Sequence, residues 1–298
     1  MVTPEQAIDR ISDAFGRRPG LRTLHAKGRF YVATFTATPE AAKLSRAAHL
    51  QGTPVPTVVR LSNGAGGSGQ PDRVPDVRGL AVSFRPAQGV ATDVLAQTAP
   101  RFPVRTVDDF VALTRAAALL RRRPWLLLRF LATRPHAARA LAVNARAGAL
   151  QPPRSFASAT YYAVHAYRWL DAAGTGRWVR YTWLPDPAAV PTPDRKDPDY
   201  LRHEMERRLA EGPVRMTLQV QIAAEGDDPH DPTSVWRNRE RIDAGVLEIT
   251  APDPDRETGG EIVVFDPVRV IDGIELSDDP ILRFRPLAYS VSAGRRAH

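Results

Sequence analysis

Val214, Met216, Leu218, Val220 and Ile222 alternate with Arg215, Thr217, Gln219 and Gln221, and a strict period of two fits a β-strand with one buried face. β-Branched or aromatic runs, broken by Gly and Pro, also occur at Arg29 to Thr36, Pro56 to Leu61, Val77 to Phe84, Thr160 to Trp169, Arg177 to Trp183, Gly245 to Thr250 and Glu261 to Phe265. Ala173-Gly174-Thr175-Gly176 signals a hairpin between two of them. The total is about eight strands. Helical segments are grouped between the strands. Thr3-Pro4-Glu5-Gln6 opens a capped helix with Ile8, Ile11 and Phe15 on one face, predicted to act as a lid, and Thr38-Pro39-Glu40 opens another through His49. Thr106 caps a third that runs from Val107 towards Pro124, and Asp197 caps one ended by Gly212-Pro213. Such grouping predicts an α+β fold, an antiparallel β-barrel with surrounding helices, and not a doubly wound sheet.

Composition adds exclusions. With 43% hydrophobic and 25% charged residues among 298, the chain matches a globular domain with a real core. The absence of cysteine removes disulfides, thiolate nucleophiles, Cys-ligated zinc and iron–sulfur clusters, so a metal must use His, carboxylate or phenolate. The N-terminal MVTPEQAIDRISDAF lacks the pattern of a secretory signal and no run is long and apolar enough for a membrane span, so the cytoplasm is the default expectation.

Net charge is +8, but its distribution is uneven: Val111 to Leu170 contains no Asp or Glu and ten arginines. Pro124 to Ala147, interrupted at Pro135, reads as two short Arg-rich helices. The expected organisation is one domain over 1–298 with 111–158 as an Arg-rich helical insertion. The bulk of the chain is not a nucleic-acid binder, and residues 115–146 leave open a peripheral membrane contact.

The Walker, GxGxxG and GxSxG motifs are absent, and His203-Glu204 has no second His at HExxH spacing. In isolation, His25 within Arg22-Thr23-Leu24-His25-Ala26-Lys27-Gly28 reads as a strand-edge histidine. Near the other end, Arg285 and Tyr289 are four apart, so on a helix they share a face. They form an ordinary surface pair or a phenolate favoured by its guanidinium, a hard ligand suited to ferric iron.

Arg22 to Gly28, Val59-Arg60-Leu61-Ser62, Asp76 to Phe84, Phe265-Asp266-Pro267, Gly273-Ile274-Glu275 and Arg285-Pro286-Leu287-Ala288-Tyr289 together, in this order and spacing, resemble the haem catalases, specifically their small catalase-related peroxidases or minicatalases. The resemblance spans most of the chain. It implies a catalase-like fold with haem b between the barrel mouth and a C-terminal helix, His25 as distal acid/base, and Tyr289 as iron ligand. It further implies that Arg285, His165 and Asp279 form a relay behind Tyr289, that Arg22, Arg60 and Arg296 bind the haem propionates, and that Ser62 orients His25. Phe110 corresponds to an aromatic on the haem face, a role no better supported than plain core packing.

One departure concerns the distal amide. Where catalases carry Asn in a Gly-Asn-Asn-Thr-Pro run, Asp93 to Pro100 offers Gln97 and Thr98, with Gln97 the replacement by spacing. The extra methylene shifts the amide by about 1 Å or more. The family's C-terminal extensions have no counterpart after His298, so a more open haem channel is expected. By resemblance, the chain reduces hydrogen peroxide or organic hydroperoxides through a ferryl intermediate, with a small organic reductant, and forms a homodimer. The alternatives are a hydroperoxide isomerase like catalase-related allene oxide synthases, or a non-enzymatic haem-binding protein.

Overall fold

The computed structural model describes residues 2–15, 22–65, 67–87, 90–120, 122–186, 192–258 and 263–295. Its elements in chain order are α1 (Pro4–Phe15), β1 (Gly28–Ala37), α2 (Pro39–Leu44), β2 (Val55–Asn63), β3 (Arg78–Phe84), β4 (Thr92–Gln97), α3 (Val107–Ala118), α4 (Trp125–Thr133), α5 (Pro135–Arg146), β5 (Tyr161–Tyr162), β6 (Tyr167–Leu170), β7 (Gly176–Pro185), α6 (Tyr200–Glu211), β8 (Val214–Ile222), β9 (Arg241–Pro252), α7 (Pro254–Thr258), β10 (Ile274–Leu276) and α8 (Pro280–Gly294). Every strand pairing is antiparallel. Eight strands close a ring in the order β1–β2–β3–β4–β5–β7–β8–β9 and back to β1, while β6 and β10 extend from β7 outside the ring.

Alternation sorts the side chains of this wall into two faces. Tyr31, Ala33 and Phe35 of β1, Val59 and Leu61 of β2, and Leu80, Val82 and Phe84 of β3 point inward and join Trp183, Leu218, Val220, Leu247 and Ile249 in one buried cluster. Phe35, Phe84 and Trp183 fill the centre, with ring centroids 4.9 Å (Phe35–Phe84) and 6.4 Å (Phe84–Trp183) apart. The cavity bordered by His49, Phe84 and Trp169 has only about 10 Å³. A barrel so filled has no room for a cofactor. The intervening residues Phe30, Val58, Ala81 and Leu95 face outward and pack with Val263 and Phe265.

The apolar outer wall explains one difference from the sequence expectation. The candidate strand at Glu261–Phe265 is irregular over its described part, 263–265, which lies against the wall; the sheet is instead extended by β10, paired with β6. The predicted strand at Thr160–Trp169 is split into β5 and β6 by a break at 163–166, and β4 is a strand the run-based reading does not contain. The helix opened at Thr38 is shorter than expected: at Ser45 the backbone turns extended (φ −147°), and its hydroxyl donates to Gly273 O at 2.9 Å, tying the chain to the β6–β10 side. Asp199, not Asp197, stands at the N-terminus of α6; the Asp197 carboxylate instead accepts from Asp199 N at 2.9 Å.

The reciprocal capping of α1 forms as predicted, with Gln6 N donating to Thr3 Oγ1 and Thr3 N to Gln6 Oε1, both at 3.3 Å. Its buried Ala7 packs with Val111 of α3 and Phe284 of α8. Pro135 separates α4 from α5 as expected. No helix among the described residues is long and apolar enough to cross a membrane.

Candidate active site

The segment that enters β1 carries His25 in the left-handed region, φ +56°, a conformation that costs a non-glycine residue about 1 kcal/mol or more and therefore needs support. His25 N donates to Gly64 O at 2.9 Å and Ala26 N to Ala65 O at 3.2 Å. The ring then lies on the outer face of the wall, with Nδ1 3.0 Å from Ser62 Oγ. Gly79 makes this possible: a Cβ there would come within 2.7 Å of His25 Nδ1 and 2.8 Å of Ser62 Oγ.

Gly79 is directly opposite Ser62 on β2 and Gln97 on β4. Directly opposed residues point to the same face, so Ser62 and Gln97 flank the glycine, about 10 Å apart or two strand spacings. Gln97 is half-buried and its amide makes no hydrogen bond to a described residue. Thr98 is different. Its hydroxyl donates to Ala149 O at 2.8 Å and accepts from Arg78 N at 3.0 Å, which clamps the end of β4 and leaves no donor for a substrate. Its candidate catalytic role thus has no geometric counterpart, because the hydroxyl completes a backbone junction.

Arg22 Nη2 donates to Val263 O at 2.6 Å, and Arg60 Nη2 to Ala26 O at 3.4 Å with its guanidinium 5.6 Å from the Phe30 ring. His25 is pushed down to about pKa 3, first by burial and then by the charges of Arg60, Arg285 and Arg22. That shift keeps the imidazole neutral at physiological pH. Arg296 lies outside the described residues.

Arg285 and Tyr289 occupy successive turns of α8, and Arg285 Nε donates to the Tyr289 oxygen at 2.8 Å. Arg285 Nη1 donates to His165 Nε2 at 2.9 Å. A guanidinium only donates, so Nε2 accepts and the proton sits on Nδ1, which donates to Asp279 Oδ2 at 2.6 Å. Burial holds His165 below its ordinary pKa despite the Asp279 carboxylate, consistent with this neutral tautomer. Asp279, fully buried, also accepts from Ile281 N at 2.8 Å, capping α8. The predicted set Tyr289, Arg285, His165 and Asp279 is thus one continuous chain of hydrogen bonds.

Phe110 packs on Phe102 with centroids 5.2 Å apart, in a cluster with Leu113 and Phe130. Phe102, which the sequence reading passed over, is the aromatic beside His165 at 6.2 Å. Gly79 and Arg180 were also missed. Arg180, buried and 4.2 Å from the Trp236 ring, donates to Asp231 O and Ser234 O at 2.8 Å each. The nearby Arg180 charge also disfavours protonation of His165. The Gly79 signal was present as a glycine within a strand pattern, which marks close approach of another group.

A filled eight-stranded antiparallel barrel carries a histidine on its outer wall, while a neighbouring helix holds a phenol oxygen on an arginine. Known proteins share this arrangement of the chain. The catalase family model matches residues 5–297. A catalase-related peroxidase of Mycolicibacterium paratuberculosis is 46% identical over 99% of this chain and 95% of its own length, and one of Synechococcus elongatus is 28% identical over 99% and 89%. A solved fungal catalase superposes with a TM-score of 0.79 at 21% identity, over 98% of this chain and 62% of that one. The chain belongs to the catalase family, whose members are haem-dependent oxidoreductases acting on peroxide.

The donor set fits such a cofactor. Among the described residues no group of three His, Cys, Asp or Glu side chains is placed to hold a metal ion. The Tyr289 phenol oxygen, held by Arg285, is a donor of the kind such a group needs, and the guanidinium charges that act on His25 suit an anionic partner.

Proposed function

We propose that this chain is a haem b peroxidase that reduces hydrogen peroxide or an organic hydroperoxide at the expense of a small organic donor. The observation that carries the reading is the pairing of a neutral His25, set on Ser62 and Gly79, with a Tyr289 oxygen tied through Arg285 and His165 to Asp279. Bound haem b would supply the redox-active ferric iron, with Tyr289 as its protein ligand and Arg22 and Arg60 on its propionates. Ser62 fixes the His25 ring through Nδ1, which leaves Nε2 to take the proton from one peroxide oxygen and return it to the other. Arg285 holds the Tyr289 oxygen, and the His165–Asp279 pair keeps Arg285 oriented. The whole chain is read as one catalase-like domain, because helices from before and after the barrel strands pack together beside the site.

Gln97 separates dismutation from peroxidation in this reading. Dismutation requires a second peroxide held between histidine and amide in one geometry, whereas donor oxidation does not. An amide carried on a longer side chain favours the latter. The test pairs an oxygen electrode with a phenol-oxidation assay on the haem-loaded protein. Donor oxidation should exceed oxygen release, and Gln97→Asn should raise oxygen release relative to donor oxidation by about 10-fold. Tyr289→Phe should abolish stable haem loading. A wild-type haem spectrum at full occupancy in that variant would remove Tyr289 as the ligand.

A further inference from the structure

Three of the large apolar side chains exposed among the described residues lie on α4 and the turn before it. Trp125 is 54% exposed, Leu128 68% and Leu120 45%. Trp125, Leu128 and Arg129 are spaced i, i+3, i+4 and share the outward face of α4, while Arg122 and Arg123 are exposed just before it. The opposite face is fixed: Phe130 is buried, and Leu127 and Leu131 pack with Phe102 and Phe110. The helix therefore cannot rotate to hide Trp125 and Leu128.

We infer that this face of α4 and its preceding turn dock the protein onto an anionic lipid surface. Large apolar side chains ringed by arginines match the boundary between headgroups and acyl chains, where Trp and Leu enter and guanidiniums remain at the phosphate level. Charge complementarity argues against the nearest alternative. Arg122, Arg123 and Arg129 border the apolar side chains with no Asp or Glu in 111–170, so two copies joined through this same face would oppose like charges. A nucleic acid would use the arginines but leave the exposed Trp125 and two leucines unburied against phosphate. An anionic bilayer satisfies both sets at once. The surface rests on α3, which in turn packs against α8, the helix that carries Arg285 and Tyr289.

The test is flotation of the haem-loaded protein with vesicles of equal parts phosphatidylglycerol and phosphatidylcholine, beside vesicles of phosphatidylcholine alone. Binding should be confined to the mixed vesicles and fall with added salt. Replacing Trp125 and Leu128 by serine should weaken it at least tenfold, and each of Arg122→Gln, Arg123→Gln and Arg129→Gln should cost roughly fivefold. These side chains are exposed, and unchanged haem content in each variant confirms folding. Absence of binding to the mixed vesicles overturns the inference. So does binding that survives loss of Trp125 and Leu128, which would show a diffuse charge effect that any polyanion satisfies. Concentration-dependent dimerisation abolished by the same double variant would assign the face to a second copy instead.

Discussion

At the scale of single residues, the site depends on a missing side chain as much as on those present. The His25 ring lies so close to Gly79 that a β-carbon there would come within 2.7 Å of its Nδ1. Gly79→Ala should therefore push the ring off Ser62 while leaving Tyr289 and Arg285 untouched, so haem loading persists and the peroxide reaction slows by ~10²-fold, comparable to His25→Ala. Stopped-flow mixing with peroxide reads both, and a full-speed Gly79→Ala variant would show that ring placement is not limiting. A His25 held at about pKa 3 is already neutral over the physiological range, so the peroxide reaction should show no inflection near pH ~6.5, the ordinary value of a histidine. A rate that rises through that value would mean that His25 titrates normally. His25, Ser62 and Gln97 were legible in the sequence through their motifs. That Gly79 stands between Ser62 and Gln97 follows only from strand register, which a linear pattern does not state.

Among the elements, α8 and the broken strand before it make the second half of the site together. Residues 163–166 leave the sheet between β5 and β6, and this break places His165 against α8. One carboxylate, Asp279, both caps the helix and accepts the His165 proton. Asn at this position has a single acceptor oxygen for two donors, so Asp279→Asn must surrender the cap or the relay. It should lose about 2–4 kcal/mol of stability, since a buried donor is left unmatched. Asp279→Ser keeps a cap but cannot reach His165, and should recover about 1 kcal/mol of that loss without restoring the wild-type haem spectrum. Urea unfolding beside visible spectroscopy separates the two effects, and equal spectra in all three proteins would dismiss the relay. Asp279 and His165 are 114 positions apart. The family motif related them, whereas helix and strand periodicity alone did not.

For the molecule as a whole, the filled barrel carries a pH dependence of its own. His49 is buried, stacked on Phe84 with centroids 4.6 Å apart, and burial pushes its pKa down to about 3. The unfolded chain binds this proton near pH ~6.5 and the folded one does not, so the unfolded state holds more protons between the two values and stability falls as pH drops through that window. Its contribution is complete above pH ~6.5 and is lost by a few kcal/mol towards about pH 3. His49→Leu should flatten the denaturation midpoint between pH 7 and pH 4 relative to the wild type, roughly in proportion to the lost titration. An unchanged slope would assign the acid sensitivity to other groups.

The sequence by itself determined the strand periodicity of β8, the capped start of α1, the Pro135 break, the absence of thiol chemistry and the local pairing of Arg285 with Tyr289, because each depends on residues within a few positions of one another. Tertiary structure decided which face of the wall holds the site. Leu61, Leu80 and Ala96, next to Ser62, Gly79 and Gln97 on their strands, point into the barrel core, so the site residues are turned outward along the outer wall. It also decided that Glu261–Phe265 forgoes strand pairing over its described part and that the Thr98 hydroxyl is consumed by the backbone. Both outcomes follow from contacts between segments distant in sequence: packing against an outer apolar face in the first case and the satisfaction of buried backbone groups in the second.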